Sequence, residues 1–325
     1  MQKGITTLKE PLLQDPATTR AMMHMVAKLH YQSDMSQVDI AKKLGVSTAT
    51  ISRLLTKARA AGIVRIEVIE LTSPEEITAD LIARLGLKTA AVVESPPANV
   101  LSALNAPLAS LLQQADLVSG SVVGIGWGRA VREVTLSGLP RLPGVLTVAL
   151  NGGMQQAAAH FQINEFVRQA AEQMEGTPHF LHAPYISSPV LRDAFLCDPG
   201  VQQITSLWDK LDVAIVGVGL THHAPHASET TTATPDEQAL SHAAGDVLRH
   251  YVTEQGEVLH WEGEQRMIAA SPDQLRQTPL CIGVAATAEK AAGIIGAVRS
   301  GMINALVTDI KTAQAILDRL VSDPL

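Results

Sequence analysis

The sequence predicts an α/β protein: a large body on a mostly parallel sheet with helices on both faces, carried behind a small N-terminal winged helix-turn-helix. Three observations point there. Short apolar runs of strand length alternate with helical stretches along most of the chain. A glycine-centred turn joins two short amphipathic patterns near the N-terminus. Charge is also divided unevenly. Residues 1–70 hold 10 Lys/Arg against 6 Asp/Glu, a net of +4, whereas residues 71–325 hold 15 against 26, a net of −11. The overall −7 therefore belongs to the body, and the basic head keeps nucleic acid open as a partner.

With 325 residues, 46% hydrophobic and 3% aromatic, the chain is sized for about two domains and excludes disorder or a fibrous fold. Cys197 and Cys281 are its only cysteines, which excludes a disulfide scaffold and a four-cysteine zinc site. The opening MQKGITTLKEPLLQDPATTR has no signal-peptide apolar run, and Asp212–Leu220, the most apolar later stretch, is about half the length of a membrane span. The expected organisation is a leader over 1–19, a winged helix-turn-helix over 20–71 and a larger α/β domain over 72–325. The expected location is the cytoplasm, without membrane contact.

In the head, Met22, Met25, Val26 and Leu29 recur at helical spacing between Thr19 and His30. Ser36 is a candidate cap for a short helix with Val38, Ile40, Ala41 and Leu44 inward, and Gly45 sits where a helix end favours a left-handed residue. Ser47 can cap the next helix, whose inward side is Ile51, Leu54, Leu55 and Ala58. Its other side carries Thr48, Thr50, Ser52, Arg53, Lys57 and Arg59. Short hydroxyls allow close approach to base edges, and cations reach bases or phosphates, so this face is the candidate reader of double-stranded operator DNA. Gly62 closes the helix, and IVRIEVIE alternates as a wing strand with Arg65 near the DNA backbone. A three-helix protein-interaction bundle is the competing reading. One such unit makes few phosphate contacts, so DNA binding implies a homodimer or homotetramer.

In the body, residues 73–86 form an amphipathic helix and LKTAAVVES an edge or first strand. Pro96 and Pro97 mark a loop, and 99–117 is helical despite Pro107. Strands follow at SVVGIG, 144–150, 211–219, 280–285 and 302–309, with helices at 155–175, 235–251 and 287–300 between them.

The strand ends carry the polar candidates. VVGIGWGRAV sets Gly124, Gly126 and Gly128 at a strand-to-helix turn with Arg129 beyond, as plain turn glycines or as an anion-binding loop. A dinucleotide site is disfavoured, because no strand-end acid follows at the required distance. Gly152 and Gly153 in LNGG either leave room for a ligand or turn the chain. Asp246 and Asp309 can accept sugar hydroxyls or serve as caps or surface acids, and Lys290 at a strand-to-helix switch suits an anion or plain solvent. His222, His223 and His226 lie in a loop without a metal-binding scaffold. No metal or bound cofactor is expected.

Together, YQSDMSQVDIAKKLGVSTATISRLLTKARAAGIVRIEV, VVGIGWGRAV, LDVAIVGVG, AAGDV and IGVAATAEKAAGIIGAVRSGMINALVTD resemble the bacterial SorC/DeoR family of sugar-responsive transcription regulators, over about residues 20–321. The resemblance implies an effector domain with the fold of glucosamine-phosphate deaminases and ribose-phosphate isomerases. It implies a sugar, polyol or sugar-phosphate effector and a dimer or tetramer. The Gly126–Trp127–Gly128–Arg129–Ala130 loop would hold the effector's phosphate, Lys290 would approach the anion, and Asp246 and Asp309 would contact the sugar. Many relatives have Thr where this chain has Ala130, which removes one phosphate donor and keeps an unphosphorylated ligand open. The expected function is an effector-controlled regulator of carbohydrate catabolism genes and not an enzyme. The alternative is a sugar-phosphate isomerase or deaminase on the same fold.

Overall fold

Helices α1 (Pro16–Tyr31), α2 (Gln37–Leu44) and α3 (Thr48–Ala60) build the N-terminal unit around Val26, Ile40, Ile51, Leu54, Leu55 and Ala58. This computed structural model describes residues 16–64, 73–94, 100–136, 138–154, 162–220 and 239–322. It divides into two compact units at Leu71/Thr72. Ser36 accepts the Asp39 N–H and Ser47 accepts the Thr50 N–H, so both helices start on the expected caps. Gly45 takes φ +67 and donates its N–H to the Ala41 carbonyl, closing α2 as expected. Val38 departs from expectation: it is 50% exposed. At about 100° per residue it lies roughly opposite Ile40, which the core takes. The expected wing strand, with Arg65, falls outside the described residues.

The second unit is a seven-stranded parallel sheet. Its strands are β1 (Thr89–Val93), β2 (Val122–Ile125), β3 (Leu146–Ala149), β4 (Thr177–His179), β5 (Leu211–Gly217), β9 (Leu280–Val284) and β10 (Ala305–Asp309), in the order β1-β10-β9-β5-β2-β3-β4. β2 and β10 are buried along their whole length, as strands covered on both faces must be. The covering helices are α4 (Pro74–Leu85), α5 (Val100–Ala103), α6 (Asn105–Gln113), α7 (Arg129–Leu136), α8 (Ile163–Met174), α9 (Pro189–Cys197), α10 (Pro199–Thr205), α11 (Pro272–Gln277), α12 (Ala291–Arg299) and α13 (Ile310–Ser322). A Ser73–Glu76 capping box starts α4, which packs on β1 and α13. Strand β1 lies at one edge of the sheet, beside β10, and β4 at the other.

Two expectations need correction. The continuous helix over 99–117 breaks at Leu104 into α5 and α6. Pro107 has no N–H for the Ala103 carbonyl, so one helix cannot run through; Pro107 instead occupies the first turn of α6, where amides need no intrahelical partner. The helix over 235–251 is replaced, within its described part, by an antiparallel ladder: β6 (Gly245–Val247), β7 (His250–Val252) and β8 (Val258–Leu259). Val247, His250 and Val252 are buried while Asp246 and Tyr251 are half-exposed, which is a strand's alternation. The hairpin turn is Leu248–Arg249, with φ of +50° and +59°. Strand β4 and helices α9 and α10 were not expected from sequence. Among the described residues no helix is long and apolar enough to cross a membrane.

The ladder docks on α12 by a backbone contact. A Cβ at Gly245 would lie 2.7 Å from the Gly293 Cα, and one at Gly296 would lie 2.2 Å from the Thr253 carbonyl oxygen. Gly245→Ala should therefore cost about 1–3 kcal/mol of stability through overpacking. Chemical denaturation checks this, and an unchanged midpoint would mean the seam yields freely.

Candidate functional site

On α3 the candidate DNA-reading side chains are open to solvent: Ser47, Thr48, Ser52, Arg53, Lys57 and Arg59 are exposed and Thr50 is half-buried. Ser47 and Thr50 are partly committed to each other, with their hydroxyls 2.8 Å apart. The Arg53 Nε donates to the Ala49 carbonyl at 3.3 Å, which lays its stem along the helix. The fold thus presents four hydroxyls near the helix start and three cations further along, on the side away from Ile51, Leu54 and Ala58.

The second candidate site follows from strand order. From β2 the chain proceeds to β3 and β4 on one side, and from β5 to β9 and β10 on the other. Loops leaving these adjacent strands diverge and open a crevice at their C-terminal ends, the usual ligand position in such sheets. The ladder is extended past β2 by the Gly126 N–H, which donates to the Ile215 carbonyl at 2.8 Å. Gly128 has φ +146° and open space where a Cβ would stand, and Arg129 begins α7 exposed to solvent. Trp127 is half-buried between them. Ala130 is buried in the core, so its methyl group serves packing.

Lys290 enters the crevice from the turn before α12. Its ammonium donates to the Val218 carbonyl, 2.7 Å away, just beyond β5. Burial lowers its pKa and the Arg129 charge lowers it further, while Asp246 opposes both. Asp246 arrives from β6, seated against Gly219, whose N–H donates to the Asp246 carbonyl at 2.8 Å. A Cβ at Gly219 would lie only 1.9 Å from the Asp246 carboxylate. That carboxylate accepts the Arg249 N–H at 2.9 Å; although part of the residue's surface stays open, crowding by protein raises its pKa. The charges of Arg249, Lys290 and His250 pull the other way. Three of the expected residues, Arg129, Asp246 and Lys290, therefore share one electrostatic neighbourhood beside the Gly126–Gly128 loop.

Two further residues belong to this neighbourhood and were not found from sequence. Arg249 lies over the Tyr185 ring, 5.7 Å from its centre, and Tyr185 donates its hydroxyl to the Leu248 carbonyl at 2.7 Å. Burial pushes the Tyr185 hydroxyl's pKa well up, so it stays a donor. The helical reading of 235–251 hid Arg249; the strand alternation of Val247, His250 and Val252 was the signal that could have exposed it.

Gly152 and Gly153 act at one remove. A Cβ at Gly152 would lie 2.4 Å from the Pro184 carbonyl oxygen, so the space there is taken by the 183–184 backbone. Gly153 accepts the Tyr185 N–H at 2.8 Å, and this seats Tyr185. Asp309 ends β10, is buried, and accepts the Thr312 hydroxyl. His222, His223 and His226 fall outside the described residues. Among the described residues no group of three or more His, Cys, Asp or Glu side chains is arranged to hold a metal ion.

Residues 70–318 match the Sugar-bind family model, a sugar-binding domain. The chain is 31% identical over 308 residues to the sorbitol operon regulator of Klebsiella pneumoniae, covering 90% of this chain and 96% of that one. It is 27% identical over 302 residues to the deoxyribonucleoside regulator of Bacillus subtilis, with 90% and 96% covered. The crystal structure of the full-length Klebsiella pneumoniae regulator superposes with a TM-score of 0.67 at 29% identity, covering 92% of this chain and 99% of that one.

Asp246 supplies a test of the crowded site. Asp246→Asn removes a charge that the folded state disfavours, and the amide oxygen can still accept the Arg249 N–H. At pH 7 the variant should melt above the wild type. A raised carboxylate pKa costs stability only where the group is ionised. The advantage should therefore vanish in acid, as pH falls through that raised pKa towards the usual carboxylate range. Thermal melts across pH check both the sign and the window.

Proposed function

We propose, on the premise that this chain belongs to the SorC/DeoR family of bacterial sugar-binding transcriptional regulators, that a phosphorylated sugar or polyol bound in the β2–β5 crevice controls its grip on operator DNA. As a member of that family the chain is a DNA-binding transcriptional regulator. The observation that carries the effector reading is that Lys290 faces both Arg129 and Asp246 while Asp246 also faces Arg249. Cations held close to one another and to a carboxylate favour a ligand that carries negative charge. Asp246 accepts hydrogen bonds from sugar hydroxyls, while Arg129, Lys290 and the Gly126–Ala130 backbone take the phosphate. Ala130 brings no hydroxyl, so in this chain the cations carry the phosphate contact. Asp309, Gly152 and Gly153 support the crevice walls.

The head reads the operator through Ser47, Thr48, Thr50, Ser52, Arg53, Lys57 and Arg59, with Arg65 on the DNA backbone. The body joins copies into a dimer or tetramer, which doubles the phosphate contacts that one recognition helix makes. Control is linkage. The effector changes operator affinity only to the extent that it binds the DNA-competent and incompetent arrangements differently, typically by about 1–3 kcal/mol, or 5- to 150-fold. The relative in Klebsiella pneumoniae is named for a sorbitol operon, so hexitols and their phosphates head the list of compounds to try.

A thermal-shift screen of sugars, polyols and their phosphates, followed by operator titration with each hit, tests the reading. A phosphorylated hit that alters operator affinity supports it; if no sugar, free or phosphorylated, moves that affinity, the reading is wrong. Lys290→Met should abolish the response to a phosphorylated hit. In the head, Arg53→Ala or Lys57→Ala should weaken operator binding by about 1–3 kcal/mol for a base contact. For a phosphate contact, either substitution should instead lower the salt slope by about 0.9. Fluorescence anisotropy at several salt concentrations separates the two, and sugar binding should be unaltered.

A further inference from the structure

We propose that Asp309 and Thr312 are positioning residues for Lys290, acting through the strained backbone of Thr287; this rests on the reading of Lys290 as a cation of the effector site. Thr287 is a β-branched residue at φ +96°, a conformation that L side chains rarely adopt. Such a residue persists only where its surroundings over-determine it. Here its N–H donates to the Thr312 Oγ1 at 2.8 Å. The Thr312 hydroxyl donates in turn to the Asp309 carboxylate. On the other side, the Thr287 carbonyl accepts the Lys290 N–H at 3.0 Å. An unbroken run of hydrogen bonds thus leads from Asp309 to the Lys290 backbone, and the Lys290 ammonium ends it on the Val218 carbonyl, 2.7 Å away.

The direction of the run is fixed by chemistry. A threonine hydroxyl has one proton, and a backbone N–H can only donate. Thr312 therefore accepts from Thr287 and spends its proton on a carboxyl oxygen of Asp309. Thr312 is fully buried and Asp309 nearly so, so solvent does not compete for either bond. The chain holds its least comfortable described backbone three residues before the lysine that reaches across β5. A loop kept only for packing would relax by carrying glycine at 287.

Titration of the full-length chain with inorganic phosphate, followed by thermal shift, tests the proposal. Thr312→Val, which keeps shape but neither bond, should weaken phosphate binding at least fivefold, and Thr312→Ser should restore it to within twofold. Thr287→Gly relieves the strain. It should melt no lower than wild type yet bind phosphate at least threefold more weakly, an outcome that a purely structural role would not produce. If Thr287→Gly and Thr312→Val bind phosphate as wild type does while Lys290→Met does not, the relay is wrong and the reading of Lys290 stands. If Lys290→Met changes nothing, or the wild-type chain binds no phosphate, that reading falls and the relay with it.

Discussion

The charged cluster beside the ends of β2 and β5 depends on a seam with no side chains in it. Gly245 of β6 lies so close to Gly293 of α12 that a single methyl group would collide with backbone. Because they meet there, the small antiparallel ladder lies against the helix that follows β9. Asp246 is the residue next to Gly245 and Lys290 sits one residue before α12, so the same contact draws carboxylate and ammonium together. Gly219 completes the arrangement, since any side chain there would occupy the position of the Asp246 carboxylate. Backbone proximity, more than any ion pair, assembles the charges.

What it assembles is uncomfortable without a ligand. Lys290 is crowded and faces Arg129, and Asp246 is crowded and balanced by cations that do not pair with it directly. Each charge carries a desolvation cost that hydrogen bonds to carbonyl and amide groups only partly offset. Such a site gains from a partner that supplies the missing counter-charge and hydroxyls, because the protein groups are already desolvated and held. The same groups lower the stability of the fold, a trade common at functional sites. The left-handed pair Leu248–Arg249 and the strained Thr287 flank this cluster, and hydrogen bonds hold each: Leu248 accepts from Tyr185, the Arg249 N–H donates to Asp246 in the same hairpin, and the Thr287 N–H donates to Thr312.

Much of this was legible in the residues. The helix-turn-helix is written locally, in two serine caps, a left-handed Gly45 and apolar positions at helical spacing, so it was read nearly residue for residue. The slips there, Val38 and the exposed Met25, whose place in the core Met23 takes, were matters of helical phase. The parallel strands were legible as apolar runs, and Arg129, Asp246 and Lys290 as polar groups at strand or helix ends. Arg249 and Tyr185 were not. Arg249 stands in a turn whose φ values would ordinarily call for glycine or asparagine, and Tyr185 joins the site across 63 residues through the Leu248 carbonyl. Asp309 was placed at the right strand end, but the hydrogen bond that occupies it comes from Thr312.

The sequence by itself determined the partition into a basic head and an acidic body, the caps and turn of the head, and the strand-and-helix alternation of the body. These are short-range matters, settled by charge, periodicity and the conformational limits of single residues. Tertiary structure decided the strand order, and with it the crevice between β2 and β5, because pairing between distant strands leaves no local signature. It also decided that residues 245–252 form a ladder, since the packing of Gly245 on Gly293 outweighs whatever helical tendency the AAGDVLRHY segment has alone. The charge partition that pointed to DNA was present in the chain from the start. The meeting of Asp246 with Lys290 required the fold.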